Sequence, residues 1–240
     1  MIPKVIHYCW FGGEKPVKVK KCIESWKKNL SGYKIKEWNL SNFDVNCLRY
    51  TRDAFEAKKY AFVSDVARVK ALYEEGGIYL DTDVMVYKTF DSILQHQCVF
   101  GFEEELYVAT SFMAVEPGHL IMKQFYEMYQ TLDFYDQNGN IIPGTNVSKL
   151  TQLMLERGLK RNDEMQFLTD GIVVYPQEYF SPYDYGNCIH KTTANTICEH
   201  LFFVSWMSWT TRAKKLIKQM AGPMLGKEKM DIIREKLKEH

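Results

Sequence analysis

The first 84 residues alternate between short apolar runs and longer amphipathic segments. Apolar runs at 5–11 and 78–84, and an alternating run at 33–40, are typical of strands. The segments at 17–29 and 54–75 carry apolar residues at helical spacing and are predicted to be helices. This order predicts an α/β fold with parallel strands in the sheet. Because such sheets bind ligands beyond the carboxyl ends of their strands, residues that follow these strands are the first candidates for a site.

Composition narrows the class of protein. The chain has 240 residues, which fit one fairly large domain, and its net charge of +1 gives no general case for nucleic acid, so no nucleic-acid partner is predicted. The N-terminal residues lack a signal-peptide apolar region, and no apolar run reaches the length of a membrane span. None of the six cysteines forms a C-x-x-C pair. We therefore expect reduced thiols in a cytoplasmic protein.

The remainder of the chain is less regular. Strands are predicted at 99–102, 111–115 and 171–176, helices at 120–132 and 145–157, and an irregular loop at 175–185. From residue 210 onward the sequence is helical in pattern and basic. The predicted division is a catalytic domain at 1–209 and a basic helical extension at 210–240. That extension is either a solvated helix face or a peripheral contact with an anionic membrane.

The segment at 76–84 combines a glycine pair, an apolar run and two aspartates. The apolar residues predict a short buried strand, and because side chains alternate along a strand, Asp81 and Asp83 are expected to point to the same side. Two carboxylates can hold Mg²⁺ or Mn²⁺, which usually takes its other ligands from water and substrate phosphates. The segment suggests an enzyme acting on a phosphorylated substrate. Composition alone predicts about one Asp-x-Asp in a chain of this size, so the surrounding motifs matter.

Other segments supply candidate partners for this pair. Asp65 and Arg68 share a helix face and form either a surface ion pair or a site for phosphate or hydroxyl groups. Trp10 ends the first apolar run before a second glycine pair, where it is either a core tryptophan or a platform for a base. His7 is predicted to be a core histidine. The segment at 200–209 begins with His200 and could close over a ligand.

The order and spacing of these motifs resemble those of family 32 glycosyltransferases. The similar stretches are IPKVIHYCWFGG at 2–13, SWKK at 25–28, KYAFVSDVAR at 59–68 and LYEEGGIYLDTD at 72–83. The resemblance covers roughly the first hundred residues, and looser landmarks follow at 175–180 and 205–206. This family includes bacterial capsular-polysaccharide transferases and the yeast initiating α-1,6-mannosyltransferase, and it is related to the glucosylating domain of large clostridial toxins.

The resemblance implies a GT-A fold, a Rossmann-like central mixed sheet flanked by helices in a single domain, and retaining sugar transfer. It implies catalytic roles for Asp65, Arg68 and Asp81. The donor-binding residues it implies are Trp10, Asp65, Arg68, Tyr79, Asp81, Ser205 and Trp206. The implied ligands of a Mn²⁺ or Mg²⁺ cofactor are Asp81, Asp83 and His200. Relatives often carry a His-His pair at this last position, where the second residue here is Leu201.

The implied function is transfer of a hexose from a nucleotide sugar to a glycan or lipid-linked glycan acceptor in bacterial surface-polysaccharide synthesis. A UDP-hexose, galactose first, is the expected donor, and GDP-mannose is the alternative. The expected location is cytoplasmic, with peripheral contact at the inner membrane face if the basic extension binds lipid.

Two other classes of protein remain as alternatives. A phosphatase of the haloacid dehalogenase type needs Thr or Val four residues after the first aspartate, where this chain has Met85. A non-catalytic sugar-binding module would not need both charged pairs. If the transferase uses a carboxylate nucleophile, the sequence offers Glu103, Glu104, Glu105 and Asp170.

Overall fold

A computed structural model of the protein describes residues 1–103, 106–184 and 189–203. Its centre is a seven-stranded sheet in the order β2-β1-β3-β6-β5-β8-β7. Two further strands, β4 and β11, form an antiparallel ribbon, as do β9 and β10. The strands are β1 (Val5–Cys9), β2 (Lys34–Trp38), β3 (Gly77–Leu80), β4 (Val84–Val86), β5 (Cys98–Gly101), β6 (Phe112–Val115), β7 (Gln166–Phe167), β8 (Ile172–Tyr175), β9 (Tyr183–Asp184), β10 (Ile189–His190) and β11 (Cys198–His200).

The sheet is mixed. Strands β1, β2, β3, β5 and β8 run in one direction, and β6 and β7 run in the other. The helices are α1 (Val17–Asn29), α2 (Arg49–Glu56), α3 (Tyr60–Glu75), α4 (Leu120–Thr131), α5 (Asn146–Leu155) and α6 (Gln177–Phe180). The prediction of an α/β fold with a mixed central sheet flanked by helices is confirmed. In the described ranges, no helix is both long enough and apolar enough to cross a membrane.

Alternating side chains of the sheet divide the core into two layers. Ile78 and Leu80 of β3 pack with Trp26 of α1 on one side. Tyr79, between them, packs with residues of α3 such as Val66 on the other side. This alternation follows from strand geometry. It places α3, which carries Asp65 and Arg68, under the strand that leads to the aspartate pair.

Two predictions about elements were wrong. The helical segment predicted at 54–75 is two helices, because Lys58 adopts a φ of 57° between the end of α2 and the start of α3. The loop predicted at 175–185 contains the short helix α6 and the strand β9, the helix beginning directly after Pro176. The basic extension predicted at 210–240, and with it the boundary at 209, lies outside the described residues.

Helix α1 fixes the chain just after the aspartate pair. Trp26 donates its indole N–H to the Val84 carbonyl at 2.7 Å, and the Asn29 amide donates to the Val86 carbonyl at 2.8 Å. The backbone N–H of Val86 in turn donates to the Ser25 hydroxyl at 3.0 Å. In a wider sheet, these backbone groups of β4 would bond to a neighbouring strand, and here side chains of α1 take that role. The Ser-Trp motif therefore serves to anchor β4.

The glycine pair before β3 permits a close approach of backbones. Gly77 has a φ of 103°, and a Cβ there would lie 2.6 Å from the Val5 carbonyl oxygen of β1. Gly139 also has a positive φ, 77°, but a Cβ there would meet nothing within 4 Å. Both substitutions to alanine carry the strain of a positive φ, whereas only the one in β3 adds a collision with a neighbouring strand.

We expect Gly77→Ala to lower the free energy of unfolding by about 1–3 kcal/mol more than Gly139→Ala does. Urea denaturation of the two variants and the parent chain measures the difference. Equal losses for the two variants would mean that β1 and β3 can move apart at no cost.

Candidate functional site

Polar residues of several elements meet at the carboxyl edge of β1 and β3. Trp10 directly follows β1, and Asp81 directly follows β3. Strand β6 runs in the opposite direction, so the residues before its start, Thr110 and Ser111, lie at the same edge. The backbone N–H of Asp81 donates to the Ser111 carbonyl at 2.8 Å. This edge is where parallel α/β sheets bind ligands.

The two aspartates lie in a turn between β3 and β4. Strand β3 ends at Leu80, and the backbone N–H of Val84 donates to the Asp81 carbonyl at 3.0 Å. We expected Asp81 and Asp83 to point to the same side because side chains alternate along a strand, but neither residue belongs to β3, so this reason was wrong. The turn nevertheless brings their carboxylates together, and one ligand atom from each lies within 4.8 Å of the others and of a His200 ring nitrogen.

The Arg68 guanidinium contacts both Asp65 and Asp81. Its side chain is only 6% exposed and contacts Asp81 through Nη2 at 3.2 Å and Nη1 at 3.3 Å. Nη2 also contacts Asp65 at 3.1 Å, and Nη1 donates to the Thr110 carbonyl at 2.9 Å. The Tyr79 ring lies 4.6 Å from the Arg68 Cζ atom. The surface ion pair that the sequence left open is excluded, because this pair is buried.

Asp65 and Tyr79 complete this buried network. Burial raises the pKa of Asp65 to about 7, against the opposing effect of the Arg68 charge. The Tyr79 hydroxyl donates to Asp81 Oδ1 at 3.0 Å, and burial raises the pKa of this tyrosine well above its usual value, so the hydroxyl keeps its proton. The Asn146 amide of α5 donates to Asp65 Oδ1 at 2.7 Å. Sequence reasoning missed Asn146, whose Thr-Asn context signals only the start of a helix.

The C-terminal part of the described chain docks on Asp83. His200 pairs with Val84 in the β4–β11 ribbon and places Nε2 3.3 Å from Asp83 Oδ1. The backbone N–H of Phe203 donates to Asp83 Oδ2 at 2.8 Å, and that of Leu201 donates to the Asp83 carbonyl at 2.9 Å. The second Asp of the motif is therefore held by three groups from one segment.

These contacts set the protonation of the pair. Burial would raise the pKa of Asp83, but the neighbouring His200 and the Phe203 N–H outweigh it and hold this pKa below its usual value. Burial would lower the pKa of His200, but the Asp83 carboxylate outweighs it and raises this pKa. The structure therefore favours an ionised Asp83 beside a histidine that gains a proton readily.

Asp81, Asp83 and His200 fit a divalent cation by ligand type and by proximity. Carboxylate oxygens suit Mg²⁺ and Mn²⁺, and an imidazole nitrogen suits the transition metals. His200 Nδ1 is buried and has no hydrogen-bond partner among the described residues. Three protein ligands leave positions for water or for phosphate oxygens.

Trp10 and His7 occupy different environments although both belong to the first motif. Trp10 is partly exposed, and its indole N–H donates to the Gly13 carbonyl at 2.6 Å, which fixes the ring at the end of β1. His7 is buried, with its ring nitrogens 2.8 Å from the Gly76 carbonyl and 3.0 Å from the Trp38 indole nitrogen. The prediction of a core histidine is confirmed, and Trp10 is not a core tryptophan.

The remaining candidate residues lie at one of the two edges of the sheet or outside the described residues. Asp170 lies just before β8, and because β8 runs in the same direction as β3, it lies at the opposite edge of the sheet from Asp81. There its carboxylate pairs with Arg157 at 3.1 Å. Glu103 follows β5 at the same edge as Asp81, and its charge contributes to the raised pKa of His200. The candidates outside the described residues are Glu104, Glu105, Ser205 and Trp206. Of the candidate carboxylates that the structure describes, Glu103 is thus the one at the site edge.

Residues 16–100 match the sequence model of the glycosyltransferase sugar-binding region containing the DXD motif. This stretch runs from the start of α1 into β5. It contains the buried Asp65–Arg68 pair and both aspartates of the turn. Trp10 and His200 lie outside the matched stretch, so their part in the site rests on the geometry.

Curated relatives and solved structures are similar to this chain over different shares of its length. Subversion of eukaryotic traffic protein A of Legionella pneumophila is 26% identical over 139 residues, which are 47% of this chain and 20% of that protein. Uncharacterized glycosyltransferase L373 of Acanthamoeba polyphaga mimivirus is 26% identical over 220 residues, covering 86% of this chain and 84% of that protein. The solved glycosyltransferase involved in glycosylating the major capsid of PBCV-1 is 15% identical, with a TM-score of 0.48, over 88% of this chain and 97% of that one.

The chain thus spans about a fifth of the first of these relatives and most of the second. The matched sugar-binding region and the similarity to the mimivirus glycosyltransferase support an enzyme of the glycosyltransferase class.

Proposed function

We propose that this chain is a metal-dependent glycosyltransferase that moves a hexose from a nucleotide sugar to a glycan acceptor. The observation that carries the proposal is the convergence of Asp81, Asp83 and His200 at one edge of the sheet, beside the buried Arg68. This convergence lies largely within the segment that matches a DXD sugar-binding region. With a divalent cation bound by these three residues, this edge would suit a ligand that carries phosphate groups.

The proposed roles follow from where charge develops. Cleavage of the bond between the anomeric carbon and the phosphate leaves a nucleoside diphosphate with added negative charge. When bound, Mn²⁺ or Mg²⁺ would offset this charge. Asp83, which His200 and the Phe203 N–H keep ionised, is the firmer proposed ligand. Asp81 shares its oxygens with Arg68 and Tyr79 and is the weaker one.

Arg68 and Asp65 are proposed to hold the donor sugar. The Arg68 guanidinium already contacts Asp65, Asp81 and the Thr110 carbonyl, so a direct contact with the donor would replace one of these. In the arrangement described, Arg68 orients the Asp81 carboxylate through two contacts. Bidentate arginine–carboxylate geometry is well suited to this positioning role.

We infer a retaining reaction from the resemblance to family 32 and to the toxin glucosylating domain. The anomeric centre would become oxocarbenium-like, as in glycoside hydrolysis. In one mechanism a carboxylate would attack the anomeric carbon, and Glu103 is the candidate because it lies at the same edge of the sheet as Asp81. In the other, the acceptor would attack from the face that the phosphate leaves. Proton NMR of the freshly formed product distinguishes retention from inversion. An inverted product would refute this part of the proposal.

The proposed donor is a UDP-hexose, galactose first, with GDP-mannose second. The proposed acceptor is a glycan or lipid-linked glycan of a bacterial surface polysaccharide, handled in the cytoplasm. Peripheral membrane contact would come from the basic stretch at 210–240. Reversing the charge of Lys214, Lys215 and Lys218 tests that contact by sedimentation with anionic vesicles, and unchanged binding would refute it.

Release of nucleoside diphosphate in the presence of Mn²⁺ tests the function. UDP-galactose, UDP-glucose and GDP-mannose are supplied in turn, and we expect release from one of them that stops when EDTA removes the metal. Phosphate release from a sugar phosphate, with no release from any nucleotide sugar, would instead support a phosphatase. Sugar binding with no turnover of either kind of substrate would support a non-catalytic module.

Trp10 is the proposed platform for the nucleobase, because its ring is partly exposed and its indole N–H is already tied to Gly13. Stacking of a base on an aromatic ring contributes about 1–3 kcal/mol. We therefore expect Trp10→Ala to raise the KM for the donor about tenfold or more. Trp10→Phe should raise it less, since it keeps an aromatic face.

The matched control is Phe167→Ala, which removes a 72% exposed aromatic ring on the edge strand β7. Steady-state kinetics with varied donor concentration measures the effect on each variant. A donor KM that stays at the parent value in Trp10→Ala would place the base elsewhere.

A further inference from the structure

A pocket lies on the face of the β4–β11 ribbon opposite to the face that holds His200. Because side chains alternate along β11, Glu199 points away from the face that holds Cys198 and His200. The pocket has a volume of about 390 Å³, and the residues that line it include Tyr87, Lys88, His190, Thr192, Thr196 and Glu199. Glu199 of the pocket is therefore next to His200 of the candidate metal centre in the sequence, but the two side chains lie on opposite faces of the ribbon.

A buried carboxylate forms the floor of this pocket. The Glu199 side chain is fully buried, and its Oε2 accepts a hydrogen bond from the Tyr87 hydroxyl at 2.6 Å. Its Oε1 lies 2.8 Å from Nδ1 of His190, whose side chain is 59% exposed. Burying a carboxylate costs free energy unless polar partners compensate, and here both partners belong to the pocket lining. The floor thus links a buried carboxyl group to side chains that a ligand can reach.

The rim of the pocket is held in place independently of any ligand. Glu178 of α6 accepts hydrogen bonds from the Thr193 hydroxyl at 2.7 Å and the Asn195 amide at 2.9 Å. The Thr196 hydroxyl donates to the Glu178 carbonyl at 2.8 Å. The Lys88 ammonium group donates to the carbonyl of residue 194 in the same segment. A preformed rim reduces the entropy lost when a ligand binds.

We propose that this pocket binds a neutral hexose unit of the acceptor glycan. This assignment rests on the proposed glycosyltransferase function. The volume lies in the range of small-molecule sites, and the lining offers hydroxyl donors and acceptors around Tyr87, which is 42% exposed. The lining holds one acidic side chain, Glu199, and one basic side chain, Lys88, so it favours neither an anionic nor a cationic ligand, and its polar groups disfavour a purely apolar one. A polyhydroxylated, uncharged ring satisfies both conditions.

Two substitutions test this binding without removing the buried carboxylate. Thr192 is exposed, so Thr192→Arg fills the pocket from the rim, and His190→Ala removes the accessible partner of Glu199. Gln130→Arg adds the same charge at an exposed position of α4 and is the matched control. Thermal unfolding of each variant of the 240-residue chain verifies that it is folded.

The probes are methyl α-galactoside, methyl α-glucoside and methyl α-mannoside, observed by saturation-transfer NMR on the full chain. We expect at least one to bind the parent chain and Gln130→Arg, and to lose its signal in Thr192→Arg and His190→Ala. No binding of any hexoside to the parent, a signal retained in Thr192→Arg, or displacement of the hexoside by inorganic phosphate would overturn the proposal.

The Asp83→Asn variant separates this proposal from the proposed function. It should keep the hexoside signal because Asp83 contacts the opposite face of the ribbon through His200. A loss of the hexoside signal in this variant would place the hexoside at the metal centre and overturn the second site. Hexoside binding by a parent chain that turns over no nucleotide sugar would leave a sugar-binding pocket without the transferase.

Discussion

Asp83→Asn is expected to lower metal-dependent turnover of the nucleotide sugar by about 10²–10³-fold, the loss typical when one group that stabilises developing charge is removed. The asparagine keeps the size of the side chain but cannot supply an anionic ligand. The structure favours this position because His200 and the Phe203 N–H keep the Asp83 carboxylate ionised and in place. Release of nucleoside diphosphate at saturating donor and Mn²⁺ measures the change.

Asp44→Asn is the control for this variant. Asp44 is exposed and accepts a hydrogen bond from the Asn46 backbone N–H at 2.9 Å, which an asparagine side chain can also accept. Its turnover should equal that of the parent chain. Retained turnover in Asp83→Asn, at the same Mn²⁺ concentration, would remove Asp83 from the metal site.

Arg68→Met is expected to lower the free energy of unfolding by about 3–5 kcal/mol. The loss arises because the partly buried carboxyl groups of Asp65 and Asp81 would lose the buried guanidinium that now contacts both. Methionine retains much of the apolar volume, so the change mainly reports the lost charge pairing. Arg68→Lys should recover only part of the stability, since an ammonium group cannot reproduce the two contacts to Asp81. Urea denaturation at neutral pH measures both variants.

Arg52→Met provides the comparison for an exposed ion pair. Arg52 contacts Asp53 at 3.1 Å, and its side chain is 49% exposed. Exposed pairs contribute about 0–1 kcal/mol, so this variant should unfold at nearly the parent urea concentration. If Arg68→Met and Arg52→Met lost the same stability, the buried network around Asp81 would not hold the turn together.

Local patterns were sufficient to predict the parts of the site that lie within one segment. The spacing of Asp65 and Arg68 predicts a shared helix face, and the resemblance assigns both residues and Asp81 to one donor site. The direct contact between Arg68 and Asp81 comes from the structure alone. The closeness of Asp81 to Asp83 was also predicted, although a turn rather than a strand produces it. Two residues separated by one position lie near each other in either geometry.

Contacts between distant segments could not be predicted from the same patterns. Asn146 reaches Asp65 across 81 positions, and Arg68 bonds the Thr110 carbonyl across 42. These contacts depend on how α5 and β6 pack against α3, which no local periodicity specifies. The same holds for Glu199, whose environment depends on the register of β11 against β4. When the partner strand and its register are unknown, the sequence does not show which face of the sheet a strand residue will occupy.

The break between α2 and α3 shows a different limit of sequence reasoning. Lys58 adopts a φ of 57° although neither glycine nor proline stands at 57–59. Without such residues, the apolar spacing from 54 to 75 favours one helix. The backbone N–H groups of Lys58 and Lys59 donate to the Phe55 and Ala54 carbonyls, which closes α2 before α3 begins. Tertiary packing of the two helices overrides the local preference.

Titration of the 240-residue chain with Mn²⁺, followed by electron paramagnetic resonance with and without UDP, addresses the candidate metal centre directly. We predict one Mn²⁺ per chain, bound more tightly when UDP is present because diphosphate oxygens complete its coordination. The same titration of Asp83→Asn should show this binding weakened or lost. Absence of Mn²⁺ binding in the parent chain, or equal binding by the parent and Asp83→Asn, would contradict a metal centre built from Asp81, Asp83 and His200.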